Sequence, residues 1–437
     1  MTTSPVYRLS AGKSRLASLR SREARDRVML LLPFVVMILV TRLDFRLIGD
    51  EVFHKAVVDS FIRAWPFPNI GDYPATSTPL AYIVMSAVGR VVGGELWKMR
   101  LVAVAATYLA GNVFYDLARN HNLPYPILSA LLFVFFPYIF FHGFTIYTDG
   151  LGLAFGLWAL KLYLAAEATL RSRIAASVLA AVAVLTRQIY IVVPGGIVLY
   201  ELWRVLRNGD FAAPKSRPLN WAILGIPFAV LLPIFWIWGG FTTPAHQGEK
   251  GGDFFLRLVP QHLSFFLAFI GFYFLPILGT RRFKATIRAN KFVLLIPIIL
   301  MPLYLLFPPI YSEERDLVGA ATGILAHGMD LGGQMFGVEV MEVAKLALWV
   351  LGIVILAYGV LDSVAPTAMV KIVSILFSFL ALMTFTPYVA ERYYAMAIPW
   401  LIMILHRQFH NWKLLLIWLG LEAGLAVGFS YWQIALK

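Results

Sequence analysis

The sequence predicts an all-α protein that crosses a membrane many times, and three observations support this fold class. Of its 437 residues, 60% are hydrophobic and only 14% are charged, against about 25% in a typical soluble domain. The mean hydropathy is +0.75. Apolar runs of about the 20 residues that a helix needs to cross the hydrocarbon core recur along the chain. Such a chain has too few charged residues to cover a globular surface, and it must therefore contact lipid.

The apolar runs predict about 11–13 transmembrane helices, judged by the length that crosses a bilayer. A further stretch at 78–92 spans only about 22 Å as a helix, which is short for a crossing. We therefore predict an interfacial or re-entrant helix there, in the first external loop. The predicted crossings lie near 28–48, 98–118, 124–142, 148–166, 172–187, 188–204, 219–238, 261–279, 291–308, 341–361, 367–388, 394–407 and 413–434.

A basic arm at residues 1–27 precedes the first apolar run. It is too long for the n-region of a secretory signal peptide, so we predict a cytosolic arm followed by a retained first span. An organelle transit peptide is the alternative, and Glu23 and Asp26 argue against it. The rest of the chain, 28–437, is predicted to form a single transmembrane domain with external loops at about 49–97, 239–260 and 309–340.

The charge pattern predicts which side each loop occupies. With the arm in the cytosol and 78–92 not crossing, more than half of the 37 Lys and Arg residues fall in cytosolic segments. More than half of the 24 Asp and Glu residues then fall outside. This is the bias that the positive-inside rule describes. We predict a multi-pass protein of the bacterial inner membrane or the endoplasmic-reticulum membrane, with the polar motifs on the periplasmic or lumenal face.

The first external loop opens with the motif GDEVFH at 49–54. Two adjacent acids at the end of a span are costly unless they are paired or used. Asp50 is therefore a candidate general base, with Glu51 beside it and His54 about one turn away. The alternative is that Asp50 caps a helix. Asp72 lies in the same loop. It is a candidate for a substrate contact, and the alternative is that it only forms part of a turn.

Further polar motifs fall on the same predicted face. An Arg between two apolar runs is expensive in a membrane unless it is paired or functional. An Arg beside aromatic residues suits a phosphate group. For Arg100, the alternative to a phosphate contact is snorkelling, in which the charged group reaches the water at the membrane interface. The residues in these motifs are Arg100, Tyr147, Asp149, Arg187, Gln188, Arg392 and Tyr393.

Several classes of chemistry find no support in the sequence. Cysteine is absent, so there is no thiolate nucleophile or thiolate zinc site. The eight His residues are scattered, and there is no P-loop, GxSxG or HExxH motif. We therefore expect no metal and no cofactor. The basic charge is assigned to membrane orientation rather than to nucleic acid.

In their order, the motifs GDEVFH, DYPATSTP, MRLV, FPYIFFHGFTIYTD, TRQIYIV, PQHLSFF and ERYYAMAIP resemble those of the endoplasmic-reticulum α-1,2-glucosyltransferases that use dolichyl-phosphate glucose. The resemblance extends over roughly 44–400. These enzymes add the terminal glucose to the lipid-linked oligosaccharide and belong to the C-type glycosyltransferases (GT-C). The resemblance therefore implies the GT-C fold and an external active site. It also implies an inverting transfer, without metal, from a polyprenyl-phosphate sugar to a glycan acceptor.

The resemblance also implies roles for individual residues. Asp50 falls on the acidic position of the catalytic base. The residues expected to bind substrate are Glu51, His54, Asp72, Tyr147, Asp149 and Gln188, and those expected at the donor phosphate are Arg100, Arg187, Arg392 and Tyr393. The chain departs from the family pattern at 312–316 and at Glu249-Lys250. These departures suggest a bacterial or divergent member.

Two rival functions remain open from the sequence. The first is a C-type transferase for another sugar, such as mannose or arabinose. The second is a flippase or transporter of lipid-linked sugars, although transporters usually place polar groups near the midplane of the bilayer and often contain inverted repeats. Here the polar motifs gather at one face and no internal repeat is visible, which favours chemistry at the membrane surface.

Overall fold

A computed structural model describes residues 6–165, 169–209, 218–247, 258–311, 320–363, 367–386, 389–405 and 410–435. Its described part is almost entirely helical. Among the described residues, six helical segments are long and apolar enough to cross a membrane. Arg281–Ala289 and Lys291–Leu306 meet at 86°, and this bent pair adds a seventh crossing if it is counted as one span. This confirms the predicted multi-pass helical architecture. The six segments long and apolar enough to cross a membrane are Leu96–Asn120, Gln188–Asn208, Pro218–Trp238, Val338–Asp362, Thr367–Thr384 and Trp412–Ala435.

The elements are numbered in chain order. The α-helices are α1 (Val6–Thr41), α2 (Glu51–Ala64), α3 (Leu80–Val92), α4 (Leu96–Asn120), α5 (Pro126–Val134), α6 (Pro137–His142), α7 (Asp149–Leu164), α8 (Leu170–Thr186), α9 (Val192–Asn208), α10 (Pro218–Ala229), α11 (Leu231–Trp238), α12 (Pro244–Gln247), α13 (Gln261–Tyr273), α14 (Arg281–Ala289), α15 (Ile296–Ile299), α16 (Met301–Leu306), α17 (Ile324–Phe336), α18 (Val338–Ser363), α19 (Thr367–Thr384), α20 (Glu391–Tyr394), α21 (Ile398–Ile404) and α22 (Trp412–Ala435). Short 3₁₀ helices lie at Gln188–Ile191, Leu275–Gly279, Lys291–Leu295 and Ala395–Ala397. The strands are β1 (Ile310–Tyr311), β2 (Ala320–Thr322) and β3 (Val389–Ala390).

Several predicted crossings form shorter or interrupted helices. The run at 124–142 divides into α5 and α6, and Pro137 begins the second of them. The run at 291–308 divides at Pro297 and Pro302, which lie in the first turns of α15 and α16. Proline favours the first turn of a helix because it has no N–H to donate to the preceding turn. Hydropathy therefore located these segments, whereas proline set their helix lengths.

The stretch at 78–92 forms α3, a helix of 13 residues packed against α2. At the start of α3, the Thr78 hydroxyl donates to the carbonyl of Val184, near the end of α8. Beyond its other end, Arg100 in the first turns of α4 binds Glu51 at the start of α2. Both ends of α3 are therefore tied to the same end of the bundle. This agrees with the prediction that the stretch does not cross.

The end of the arm is fastened to the far end of α4. Arg27 donates to Asn112 at 2.8 Å and to Asp116 at 2.7 Å. Lys161 of α7 also donates to Asp116, at 2.8 Å. Arg100 lies near the start of α4, and a 25-residue helix is about 38 Å long, which exceeds the hydrocarbon core of about 30 Å. The arm and the first loop therefore lie at opposite ends of a full span.

A three-stranded parallel sheet, in the order β1-β2-β3, was not predicted. Ala321 pairs with Val389, and Thr322 pairs with Ala390. The sheet thereby joins the segment before α17 to the segment before α20. It brings Gly323 beside Glu391, although they are distant in sequence.

Candidate functional site

An ion pair between Asp50 and Arg392 forms the centre of the candidate site. Arg392 donates to the Asp50 carboxylate at 2.5 Å across a sequence separation of 342 residues. Asp50 directly precedes α2, but its side chain makes no capping hydrogen bond to that helix. The two side chains, in the order Arg392 and Asp50, are 21% and 23% exposed. Asp50 is therefore not used as a cap, and both groups are reachable from the surface.

Tyrosine rings surround the guanidinium groups. The Arg392 guanidinium lies 5.5 Å from the ring centre of Tyr147 and 5.4 Å from that of Tyr393. Arg187 lies 5.2 Å from the same Tyr393 ring. These distances suit cation–π attraction, which holds an Arg without using its N–H donors. The Tyr393 ring thus contacts two cations, Arg392 of α20 and Arg187 in the turn after α8.

A second ion pair joins Arg187 to Asp149, the first residue of α7. The other carboxylate oxygen of Asp149, Oδ2, is 3.5 Å from Nδ1 of His142. His142 stacks on Tyr147, with ring centres 4.2 Å apart and planes 7° apart. Oδ2 is buried, and no donor among the described residues meets it in hydrogen-bonding geometry. Asp149 borders a narrow cavity that His142 and Arg392 also line, so Oδ2 can accept a hydrogen bond from a hydroxyl group placed there.

His54 also contacts the ring of Tyr147. Its Nδ1 is 2.6 Å from the Tyr82 hydroxyl, and its ring centre is 4.9 Å from that of Tyr147. Burial lowers the pKa of His54 to about 3, and Arg187 and Arg392 contribute to the decrease. The imidazole is therefore neutral at neutral pH. It can donate or accept one hydrogen bond, but it cannot supply positive charge to a phosphate.

Glu51 and Arg100 lie behind the site rather than in it. Both side chains are fully buried, and Arg100 binds the two oxygens of Glu51 at 2.9 and 2.6 Å. Its remaining N–H donors bind the carbonyls of Leu43, Phe45 and Arg46, so all five are used. The phosphate contact expected of Arg100 and the substrate contact expected of Glu51 therefore do not fit this arrangement, because neither group has capacity facing the site.

Glu51 instead connects the two loops that carry site residues. One of its oxygens accepts the backbone N–H of Ile146 at 2.8 Å, and the other accepts that of Ile48 at 3.3 Å. Ile146 directly precedes Tyr147, and Ile48 lies two residues before Asp50. The buried pair thus fixes the position of Asp50 relative to Tyr147.

Gln188 also has a positioning contact rather than a free amide. Its Nε2 donates to the carbonyl of Thr76 at 2.6 Å, and its Oε1 accepts the N–H of Thr78 at 3.3 Å. It therefore fastens the 71–79 loop beside Arg187. Asp72, in that loop, is exposed and takes part in none of the site contacts described above.

The structure adds three site residues that the sequence reasoning did not select: Tyr82, His142 and Glu391. Each is a polar residue within or beside an apolar run, which is the signal that could have identified it. Glu391 is buried and accepts hydrogen bonds from Tyr138 and Tyr273, both at 3.1 Å. It also accepts the N–H groups of residues 325 and 326, at 2.7 and 3.1 Å. A carboxylate from the residue next to Arg392 thus caps the start of α17.

Gly323→Ala is expected to weaken this cap and lower both stability and activity. Gly323 has φ +149° and ψ −160°, a region essentially restricted to glycine, where another residue costs about 1–3 kcal/mol. An added Cβ would also collide with Glu391 and the Tyr138 hydroxyl. Gly328→Ala in α17 is the matched control, because its Cβ would meet open space. Thermal unfolding of the purified variants measures the difference, and equal midpoints would contradict the assignment.

Two sequence features lie outside the described residues. These are the segment 312–316 and Glu249-Lys250, where the chain departs from the family pattern. Among the residues that are described, no group of three or more His, Asp or Glu side chains is arranged to hold a metal ion.

Comparisons with known proteins match this chain to solved structures at low sequence identity. No protein-family model matches the sequence, and no curated protein matches it. Two solved structures of ArnT from Cupriavidus metallidurans are similar to this chain. The apo structure has a TM-score of 0.41 and 14% identity, covering 88% of this chain and 77% of that one. The structure bound to undecaprenyl phosphate has a TM-score of 0.38 and 13% identity, covering 87% and 77%.

Proposed function

We propose that this protein is an inverting membrane glycosyltransferase of the C type. In the specific form of the proposal, it transfers glucose from a polyprenyl phosphate to a hydroxyl group of a glycan acceptor. The Asp50–Arg392 pair carries the proposal, because it places a carboxylate in direct contact with a cation that can hold a phosphate. A reaction that deprotonates a hydroxyl and releases a phosphate needs both groups at one place.

The surroundings of the pair suit a lipid-linked phosphate. Two cations lie close enough together to contact one phosphate group, because Arg187 and Arg392 both border the ring of Tyr393. A guanidinium can bind two phosphate oxygens in parallel and remains charged at any physiological pH. Asp50, Asp149 and Arg187 all lie at helix ends, and the Tyr393 ring that Arg187 and Arg392 share brings their two ion pairs together. A donor anchored in the bilayer can present its phosphate there without leaving the lipid.

The proposed chemistry is a single displacement. An acceptor oxygen attacks the anomeric carbon and loses its proton to Asp50, while the bond from that carbon to the phosphate oxygen breaks. The electron pair of that bond leaves with the polyprenyl phosphate, whose charge Arg392 and Arg187 stabilise. In this scheme Oδ2 of Asp149, which has no donor among the described residues, and the neutral ring of His54 bind sugar hydroxyls.

The ion pair has a consequence for the order of events. A carboxylate paired with an Arg binds a proton poorly, because the cation favours its ionised form. While Arg392 binds the Asp50 carboxylate, it competes with an acceptor hydroxyl for that carboxylate. A donor phosphate that binds Arg392 competes with Asp50 and releases it to act on the acceptor. In this scheme the donor binds before the acceptor is activated.

Product mass after incubation with purified protein tests the function. Polyprenyl-phosphoglucose is supplied with candidate lipid-linked and protein acceptors, and the expected result is an acceptor heavier by one hexose. A parallel panel with mannosyl and arabinosyl donors identifies the sugar, and preference for either would overturn the glucose assignment. Movement of a lipid-linked sugar across vesicle membranes without a glycosidic product would instead support a flippase.

A further inference from the structure

A second charged surface lies at the opposite end of the molecule from the candidate site. Glu391, the residue next to Arg392 of the candidate site, caps the start of α17. The helix α17 leads directly into the start of α18. At the other end of α18, Asp362 binds Arg282 of α14 through two hydrogen bonds of 3.0 Å. Because α18 has 26 residues and is about 39 Å long, α14 lies a full membrane span away from the site.

One face of the helix α14 packs against the rest of the protein, and the opposite face is exposed. Phe283 is only 2% exposed and packs edge-on against Tyr358, with ring centres 5.4 Å apart. On the opposite face, Arg281, Lys284 and Arg288 are all exposed. Their spacing of three and then four residues places them in one row along a helix. The segment 280–291 contains no acidic residue that would neutralise this row.

The chain next to this row marks the level of the bilayer. Lys291 is exposed and is followed directly by Phe292, which is 60% exposed. Further exposed apolar side chains continue through Ile299. The helix meets this apolar segment at 86°, so it runs across the direction of the segment rather than continuing it. A change from exposed cations to exposed apolar residues within a few positions is expected where lipid headgroups meet hydrocarbon.

We propose that the exposed row of Arg281, Lys284 and Arg288, together with the adjacent Lys291, is a binding site for the phosphate headgroups of anionic phospholipids. The packed face holds the row rigid, the Arg282–Asp362 pair fixes the helix on α18, and the bend keeps the cations at headgroup level. Clustered basic residues beside a bilayer attract anionic lipids, and each cation near the surface contributes. This inference does not depend on the proposed transferase activity.

The test compares lipid binding by the full-length protein and two triple variants. Purified protein in detergent is titrated with phosphatidylglycerol and, separately, with phosphatidylcholine, and bound lipid is counted by native mass spectrometry. The variant R281Q/K284Q/R288Q removes the row but leaves the Arg282–Asp362 pair intact. The control R46Q/R63Q/R90Q removes three exposed cations in or beside the first external loop.

Wild-type protein and the control variant are expected to prefer phosphatidylglycerol, whereas the α14 variant loses about tenfold or more of its affinity for that lipid. The charge-conserving variant R281K/K284R/R288K is expected to bind as the wild type does, because it keeps all three positive charges. Equal binding of the two lipids by the wild type, or unchanged binding by the α14 variant, would overturn the proposal. Competition by soluble glycerol phosphate at the same concentration as the lipid would identify a small-anion site and also overturn it.

Discussion

Asp50→Asn is expected to lower turnover by about 10²–10⁴-fold, the usual contribution of a general base, while the protein remains folded. An asparagine has nearly the same shape as an aspartate but cannot accept the proton of the attacking hydroxyl. The same substitution should increase the affinity for polyprenyl phosphate, because Asp50 no longer competes for Arg392. Loss of turnover together with tighter phosphate binding distinguishes this mechanism from general damage to the site.

Single-turnover transfer assays and binding of polyprenyl phosphate measure the two effects. Glu95→Gln is the matched control, because Glu95 is an exposed acid in the same external loop and lies outside the cluster around Arg392. Near-normal turnover in Asp50→Asn would remove Asp50 from the role of base. Unchanged or weaker binding of the lipid phosphate would show that the ion pair does not compete with the donor.

Arg100→Met is expected to destabilise the protein by about 3–5 kcal/mol, because it leaves the charge of Glu51 buried without its partner. The loss should be large because both side chains are fully buried and Arg100 uses every N–H donor it has. Turnover should also fall, since Glu51 links the loop of Asp50 to the loop of Tyr147. Replacing both members in Glu51→Leu/Arg100→Met should recover part of the stability.

Thermal unfolding of the purified chain, followed by tryptophan fluorescence, measures these changes. Lys98→Met is the matched control, because Lys98 lies two residues earlier on α4 and pairs with the exposed Glu95. An exposed pair is screened by solvent, so this control should change the midpoint little. A similar midpoint for Arg100→Met and Lys98→Met would contradict the structural role assigned to the buried pair.

The sequence by itself determined the architecture because hydropathy is a local property of each segment. The apolar runs predicted a multi-pass helical protein, and the short stretch at 78–92 predicted the non-crossing helix α3. The same local signal could not set helix lengths where Pro137, Pro297 and Pro302 lie in the first turns of new helices. The small sheet was also not predictable, because its strands have only two or three residues.

The tertiary structure decided which of the candidate polar residues form the site and which lie behind it. Asp50 and Glu51 are neighbours in sequence, but successive residues around a helix point in directions about 100° apart, as 3.6 residues per turn requires. One therefore meets Arg392 at the surface, and the other meets Arg100 in the interior. The sequence showed that charged groups at a membrane face must be paired or used, since burying them alone is costly. Which partner each one has depends on contacts across hundreds of residues, and only the folded chain specifies them.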